Sequence, residues 1–228
     1  HPMLCEIYSI RNISASPLVL NVPKFSQEAK TLADKGVDGS YVIRADIFGS
    51  GTYVLEPWQE IGFQVAFQAY REKGGSMIVP DFDAEYSARM SFIRDAIDSS
   101  LILKTPDTVI NTEFRFAKIR ASESIYRTKG GLMHGPGGES YYAALWCNDE
   151  CEYVNPFYPF LGYAVGNESA FNCYRLYSGF MNDDFKPVPS SIIAEGTDIW
   201  DGAGDRGDAA MIAHGLSRYL LARGDKNE

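Results

Sequence analysis

Long apolar runs are missing from this chain. Nowhere do roughly 18 consecutive apolar residues occur, so no helix is expected to span a bilayer. The first ten residues also lack a charged stretch followed by a long apolar core, so any export signal is expected to have been removed or never present. Basic residues are scarce: 21 Lys and Arg stand against 30 Asp and Glu, a net charge of -9. Nucleic acids and anionic membrane surfaces need a cationic surplus to displace counterions, which argues against both and favours a neutral partner. Only four cysteines and three histidines are present. Cys147 and Cys151 are spaced C-x3-C rather than the C-x2-C of redox motifs, and no second Cys/His pair lies nearby to complete a tetrahedral zinc site. His1, His134 and His214 are too scattered to hold a metal together. No metal and no other cofactor is expected. The thiols read as buried and free, with a Cys147–Cys151 disulfide as the alternative in an exported chain.

What is present is a core-forming composition, 45% hydrophobic and 13% aromatic, in a length that suits one or two domains. The fold class expected is α+β and multidomain. Residues 1–80 hold short β-branched and aromatic runs (4–10, 18–22, 41–49, 62–70) separated by Gly, Pro, Ser and Asp clusters, a sandwich-like pattern. Within the last run Phe63, Val65 and Phe67 alternate onto one face. After Pro80 the period changes. Tyr86, Met90, Ile93 and Ile97 recur at helical spacing, predicting a linker helix over 81–104. A second helix is predicted from Thr105 as N-cap, through Ile110, Phe114, Ala117 and Ala121 to Ile125 and Tyr126. A third is expected over 168–181, and a fourth from Asp205 to a stop at Gly224.

The chemistry is expected between residues 130 and 208, where aromatic residues surround carboxylates in segments broken by Gly and Pro. A pyranose offers an apolar C–H face for ring stacking and a rim of hydroxyls that seek acceptors, so this combination suits a sugar cleft. Trp146, Tyr153 and Trp200 are the candidate stacking surfaces, although any one aromatic taken alone reads as core. Cleavage of a glycosidic bond needs a carboxylic acid to protonate the departing oxygen and a second carboxylate as base or nucleophile. Asp149 and Glu152 are the candidate catalytic groups. They are three residues apart and share a face if their segment is helical, and an aromatic wall would raise a carboxyl pKa as a general acid requires. His134, in a loop rich in glycine, is a candidate hydroxyl ligand. Glu195, Asp201, Asp205 and Arg206 extend the candidate binding set. The G-x-G-x-x-G spacing of residues 202–207 is not read as a dinucleotide site, because Asp201, Asp205 and Asp208 would repel a pyrophosphate and no βαβ unit surrounds it.

The order of a β-rich front, a linker helix, the stretch Lys104-Thr105-Pro106-Asp107, the run WCNDECEYVNPF at 146–157 and the segment WDGAGDRGD at 200–208 resembles the six-hairpin, (α/α)6-barrel glycoside hydrolases, in particular rhamnosidase-like and glucoamylase-like members. The resemblance implies a β-supersandwich followed by the first helical hairpins of a twelve-helix toroid, with residues 105–228 as the start of that barrel. It places the general acid at Asp149 or Glu152 and the second sugar-contacting segment at Trp200, Asp201 and Asp205. No D-x-x-x-R-D-E-R stretch of the rhamnosidase kind is present, so the sugar stays open. About four helices of the twelve are legible, so the chain reads as an internal portion whose catalytic base, and the rest of the barrel, come from other sequence or another chain. The expected function is inverting hydrolysis of oligo- or polysaccharides, periplasmic or extracellular in location. A carbohydrate-binding protein without catalysis and a sugar phosphorylase are the alternatives.

Overall fold

The computed structural model describes residues 3–34, 38–136, 144–197 and 206–225, without the side chains of Arg206 and Ala209. The fold is mixed α+β, with small antiparallel sheets and helices, and divides into two compact units, His1–Met90 and Ser91–Glu228. The division falls inside a helix, α1 (Phe82–Phe92).

The first unit is built on six strands: β1 (Met3–Arg11), β2 (Leu18–Val22), β3 (Ser26–Lys30), β4 (Tyr41–Phe48), β5 (Gly51–Leu55) and β6 (Glu60–Arg71). β1, β6, β4 and β3 form one antiparallel sheet in that order, while β2 and β5 pair separately. Residues opposed in an antiparallel ladder share a face. Phe63, Val65 and Phe67 therefore line up with Tyr8, Glu6 and Leu4, and the rings of Tyr8 and Phe63 stack at 5.0 Å. The alternation was legible in the sequence, but the more deeply buried face is the other one. Ala66 and Gln68 on it are 0% and 2% exposed, against 42% for Phe67. Gln68 is held inside because its amide exchanges hydrogen bonds with the backbone of Ile78, at 3.0 and 3.1 Å. β3 was not expected. Its sequence SQEAK is wholly exposed and carries no apolar signal, and it is fixed by the ladder to β4 and by Arg44, which reaches both Glu28 and Asp46.

The linker-helix stripe is corrected by a change of helical pitch. No residue of α1 is buried, with Tyr86 and Met90 57% and 44% exposed. The next turn, Ile93–Asp98, is π-helical, with its cap closed by the amide of Ser99 on the carbonyl of Arg94, and it buries Ile97 completely. An i→i+5 turn rotates the following residues away from where a 3.6-residue period would put them.

The second unit continues with α2 (Thr108–Glu123), the hairpin β7 (Ile125–Thr128) and β8 (Gly131–His134), β9 (Leu145–Trp146), a π-helix (Asp149–Val154), α3 (Tyr158–Leu161), α4 (Ala164–Ser178), β10 (Ser191–Ile192) and α5 (Arg206–Arg223). The N-cap of α2 is Asp107, which accepts from the amides of Val109 and Ile110. Thr105 instead bonds Asp107 and Asn111, and Ile125 leaves the helix for β7. The predicted stripe is rotated too: the buried residues of α2 are Lys118 and Ser122. Lys118 donates to the carbonyls of Ile97, Ser100 and Leu101, closing the end of the first π-helical turn. α4 begins before the expected Glu168, and α5 ends as expected at Gly224, whose φ of 68° is the left-handed stop that glycine accepts.

The core of this unit gathers Met133, Leu145, Tyr158, Tyr177, Ile192 and Tyr219. Glycines permit close approaches in it. The Tyr158 ring lies against Gly166 of α4, and the backbone of Cys151 lies against Gly215 of α5. The two N-x-S sequons, at Asn12 and Asn167, are unavailable to a glycan. Both asparagines are buried, and their amide nitrogens donate to the carbonyls of Ser16 and Leu55 and of Tyr163, respectively. Among the described residues no helix is long and apolar enough to cross a membrane.

Candidate functional site

The site is organised by the second π-helix. β9 places Trp146 opposite Ser191 of β10, and the chain turns at once into helical residues Cys147 and Asn148 and then the π-helix Asp149–Val154. The segment has two sides. Glu150, Cys151, Val154 and Asn155 are buried, whereas Asp149 is exposed, Glu152 half-buried and Tyr153 63% exposed. The two nominated catalytic carboxylates therefore lie with Tyr153 on the solvent side, a few residues along the chain from a half-buried Trp146. Such a widened turn is uncommon and recurs at functional sites, because the extra residue re-aims its neighbours. A cleft of about 480 Å³ lined by Pro156, Phe160, Arg218, Leu221 and Ala222 flanks the end of this segment, and Arg218 Nη1 donates to the carbonyl of Glu152 at 2.9 Å.

The carboxyl whose pKa is pushed up by its surroundings is neither nominated acid. It is Glu150, which is fully buried and raised to about 7, first by desolvation and further by Asp149, against the opposing pull of His134. Its Oε1 lies 2.9 Å from His134 Nδ1, while its Oε2 has no partner among the described residues. His134 ends β8 and is 7% exposed, with its ring edge on Tyr158 at 6.3 Å. It sits inside the unit rather than on an open loop. Sequence reasoning passed over Glu150 because acidic residues occupy 149, 150 and 152 alike. The signal that marks it is the apolar stripe Cys147, Cys151 and Val154, all buried, which fixes the inward side that Glu150 adjoins.

A consequence of that burial is a pH-dependent stability. An unfolded glutamate releases its proton near pH 4.5 and Glu150 releases it near 7, so between these values only the folded state holds the proton. Raising the pH through this window therefore destabilises the fold, by about 3 kcal/mol in full. Glu150→Gln removes that slope. Urea midpoints measured at pH 5 and pH 8 should differ more for the native chain than for Glu150→Gln, and equal differences would exclude the assignment.

Three thiols surround the same inner side. Cys147, Cys151 and Cys173 are buried and free, and Cys147 donates to the carbonyl of Asp208 at 3.0 Å. The Cys147 thiol is pushed up by its hydrogen bond with Cys151 and then by burial, and Cys173 by burial, so these are packed thiols rather than ready thiolates. Among the described residues no cluster of His, Cys, Asp and Glu could hold a metal ion.

The remaining nominated residues are placed as follows. Glu195 lies half-buried in the turn that follows β10, whose carbonyl at Ala194 accepts from Gly130 at the tip of the β7–β8 hairpin. His134 is at the other end of β8, about 10 Å away at ~3.3 Å per strand residue, so this turn is not brought to the His134–Glu150 pair. Arg206 opens α5, which puts residues 206–208 in a helix. Trp200, Asp201 and Asp205 lie outside the described residues.

No protein-family model and no curated protein matches the sequence. Among solved structures the chain is similar to a protein from the human microbiome provisionally assigned as a kojibiose phosphorylase, with 12% identity and a TM-score of 0.46 over 96% of this chain. The chain spans 37% of the length of that protein.

Proposed function

We propose that this chain is the linker and first part of a six-hairpin, (α/α)6-barrel enzyme that cleaves glycosidic bonds, with the supersandwich part over 1–80, a linker over 81–104 and the barrel start over 105–228. The observation that carries the reading is the π-helical turn that presents Asp149, Glu152 and Tyr153 on one solvent side directly after Trp146. In this reading a sugar stacks on Trp146 and Tyr153. Asp149 or Glu152 protonates the departing glycosidic oxygen, and water attacks from the opposite face with the help of a base outside this chain. Trp200 is a further stacking surface, His134, Asp201 and Arg206 contribute hydroxyl contacts with Asp205 beside them, and Glu195 lines the outer rim. The location is periplasmic or extracellular, where polysaccharides are met.

The test is turnover of an aryl-glycoside panel by the complete gene product, with product anomers followed by NMR. Asp149→Asn combined with Glu152→Gln should lower turnover by about a hundredfold or more, the usual worth of a positioned acid, while leaving the thermal midpoint nearly unchanged because neither side chain is in the core. Retained turnover would end the assignment of the acid. Product formation that depends on phosphate in place of water would make the protein a phosphorylase.

A further inference from the structure

We propose that Glu150 is a positioning residue that grips His134 through Nδ1 and thereby turns Nε2 of the imidazole into a hydrogen-bond acceptor. The geometry is specific. Glu150 Oε1 lies 2.9 Å from His134 Nδ1, both side chains are buried, and His134 ends β8 while Glu150 stands in the first turn of the π-helix. The pair brings together two residues 16 apart in sequence. A free neutral imidazole prefers to carry its proton on Nε2; a carboxylate at Nδ1 reverses the preference, because only a protonated Nδ1 can donate to it. The same hydrogen bond pins the π-helix, since Glu150 lies between Asp149 and Cys151 and cannot shift without dragging the outward side with it.

The other groups facing Glu150 do not compete for this role. Asp149, on the same turn, is the one other carboxylate that acts on it, and it raises the affinity of Glu150 for a proton. From α3 comes Tyr158, and from α4 come Cys173, Tyr174 and Tyr177, with Cys147 and Cys151 alongside; burial keeps the phenols and Cys173 protonated, and hydrogen bonds among the thiols together with burial do so for Cys147 and Cys151, so none offers a charge. His134 is the side chain that is hydrogen-bonded to the buried carboxyl among the described residues. The pKa of Glu150, pushed up to about 7, also implies that the grip tightens as the pH rises above neutrality, when the carboxyl ionises.

That Nε2 then accepts a sugar hydroxyl is a further step that rests on the function proposed above; the grip itself does not. Long-range ¹H–¹⁵N NMR of the uniformly labelled chain separates them, with His134 identified by the ring signals lost in His134→Gln. Above pH 8 the native chain should show the Nδ1–H tautomer, and a ring protonated on Nε2 alone would overturn the proposal without any variant. Glu150→Met keeps the side-chain length and removes the acceptor, and should return the ring to the Nε2–H tautomer; a ring that stays Nδ1–H would also overturn it. In the complete gene product Glu150→Met should lower kcat by about tenfold with little change in KM, as loss of a partner behind a ligand commonly does. Adding His134→Gln to it should then cost less than about twofold more, because the two act as one unit. Independent, multiplying losses would overturn the positioning role. A native gene product that cleaves no glycoside would sink the function proposed above and leave the tautomer result standing.

Discussion

Gly215→Ala should destabilise the second unit by about 2–3 kcal/mol although it introduces a better helix former. In an open helix this exchange gains about 1 kcal/mol, because glycine loses more backbone freedom than alanine. Here the added methyl would meet the carbonyl oxygen of Cys151 and come within 2.7 Å of its Cβ. These are backbone and first side-chain atoms of the π-helix, which cannot swing aside as the end of a long side chain can, so α5 has to move away from the turn that carries Glu150, Cys151 and Val154. Ala213→Gly, at an exposed position in the same helix, is the control and should cost about 1 kcal/mol through propensity alone. Urea denaturation of both variants decides the matter. A Gly215→Ala chain more stable than the native one would show that α5 and the π-helix do not approach this closely.

Lys118→Met should cost about 3–5 kcal/mol. Methionine nearly matches the lysine stem in length and apolar volume, so the packing beside Phe114, 5.8 Å from the ammonium, is kept and the three donated hydrogen bonds are lost. The carbonyls of Ile97, Ser100 and Leu101 close a helical end, and Lys118 itself is 3% exposed, so water cannot simply replace the ammonium. Burial lowers the Lys118 pKa and Asp98 opposes that shift, as expected of a charge kept inside by acceptors. The same carbonyls end the turn that buries Ile97, so loss of the donor loosens both elements together. Thermal or chemical denaturation measures the effect, and a loss below about 1 kcal/mol would mean that the carbonyls find other partners.

The features legible in the sequence were those that depend on a local period or a local cap. Alternation put Phe63, Val65 and Phe67 on one side of β6, and Gly224 stopped α5, because a strand repeats every two residues and glycine alone accepts a left-handed backbone without strain. β3 escaped because a strand paired at a sheet edge needs no apolar residue, and its five exposed side chains read as loop. The two π-helical turns escaped for a different reason. Their stretches carry the amphipathic residues of an α-helix, and no local pattern records the wider turn; Lys118 meets the end of one and Gly215 the backbone of the other.

The sequence by itself determined the class of chain: acidic, core-forming, with strands first and helices after, and with carboxylates and aromatic rings concentrated around 146–157. It also placed Asp149 and Glu152 on one side of an α-helix. Which side of that helix turns inward was decided by the tertiary structure alone. Three neighbouring acids are equivalent along the chain, and only the contact of Cys151 with α5 and the reach of His134 from β8 make burial of Glu150 cheaper than burial of the other two. A carboxyl is brought inside a core where a donor already waits for it, and no local pattern records where that donor will be.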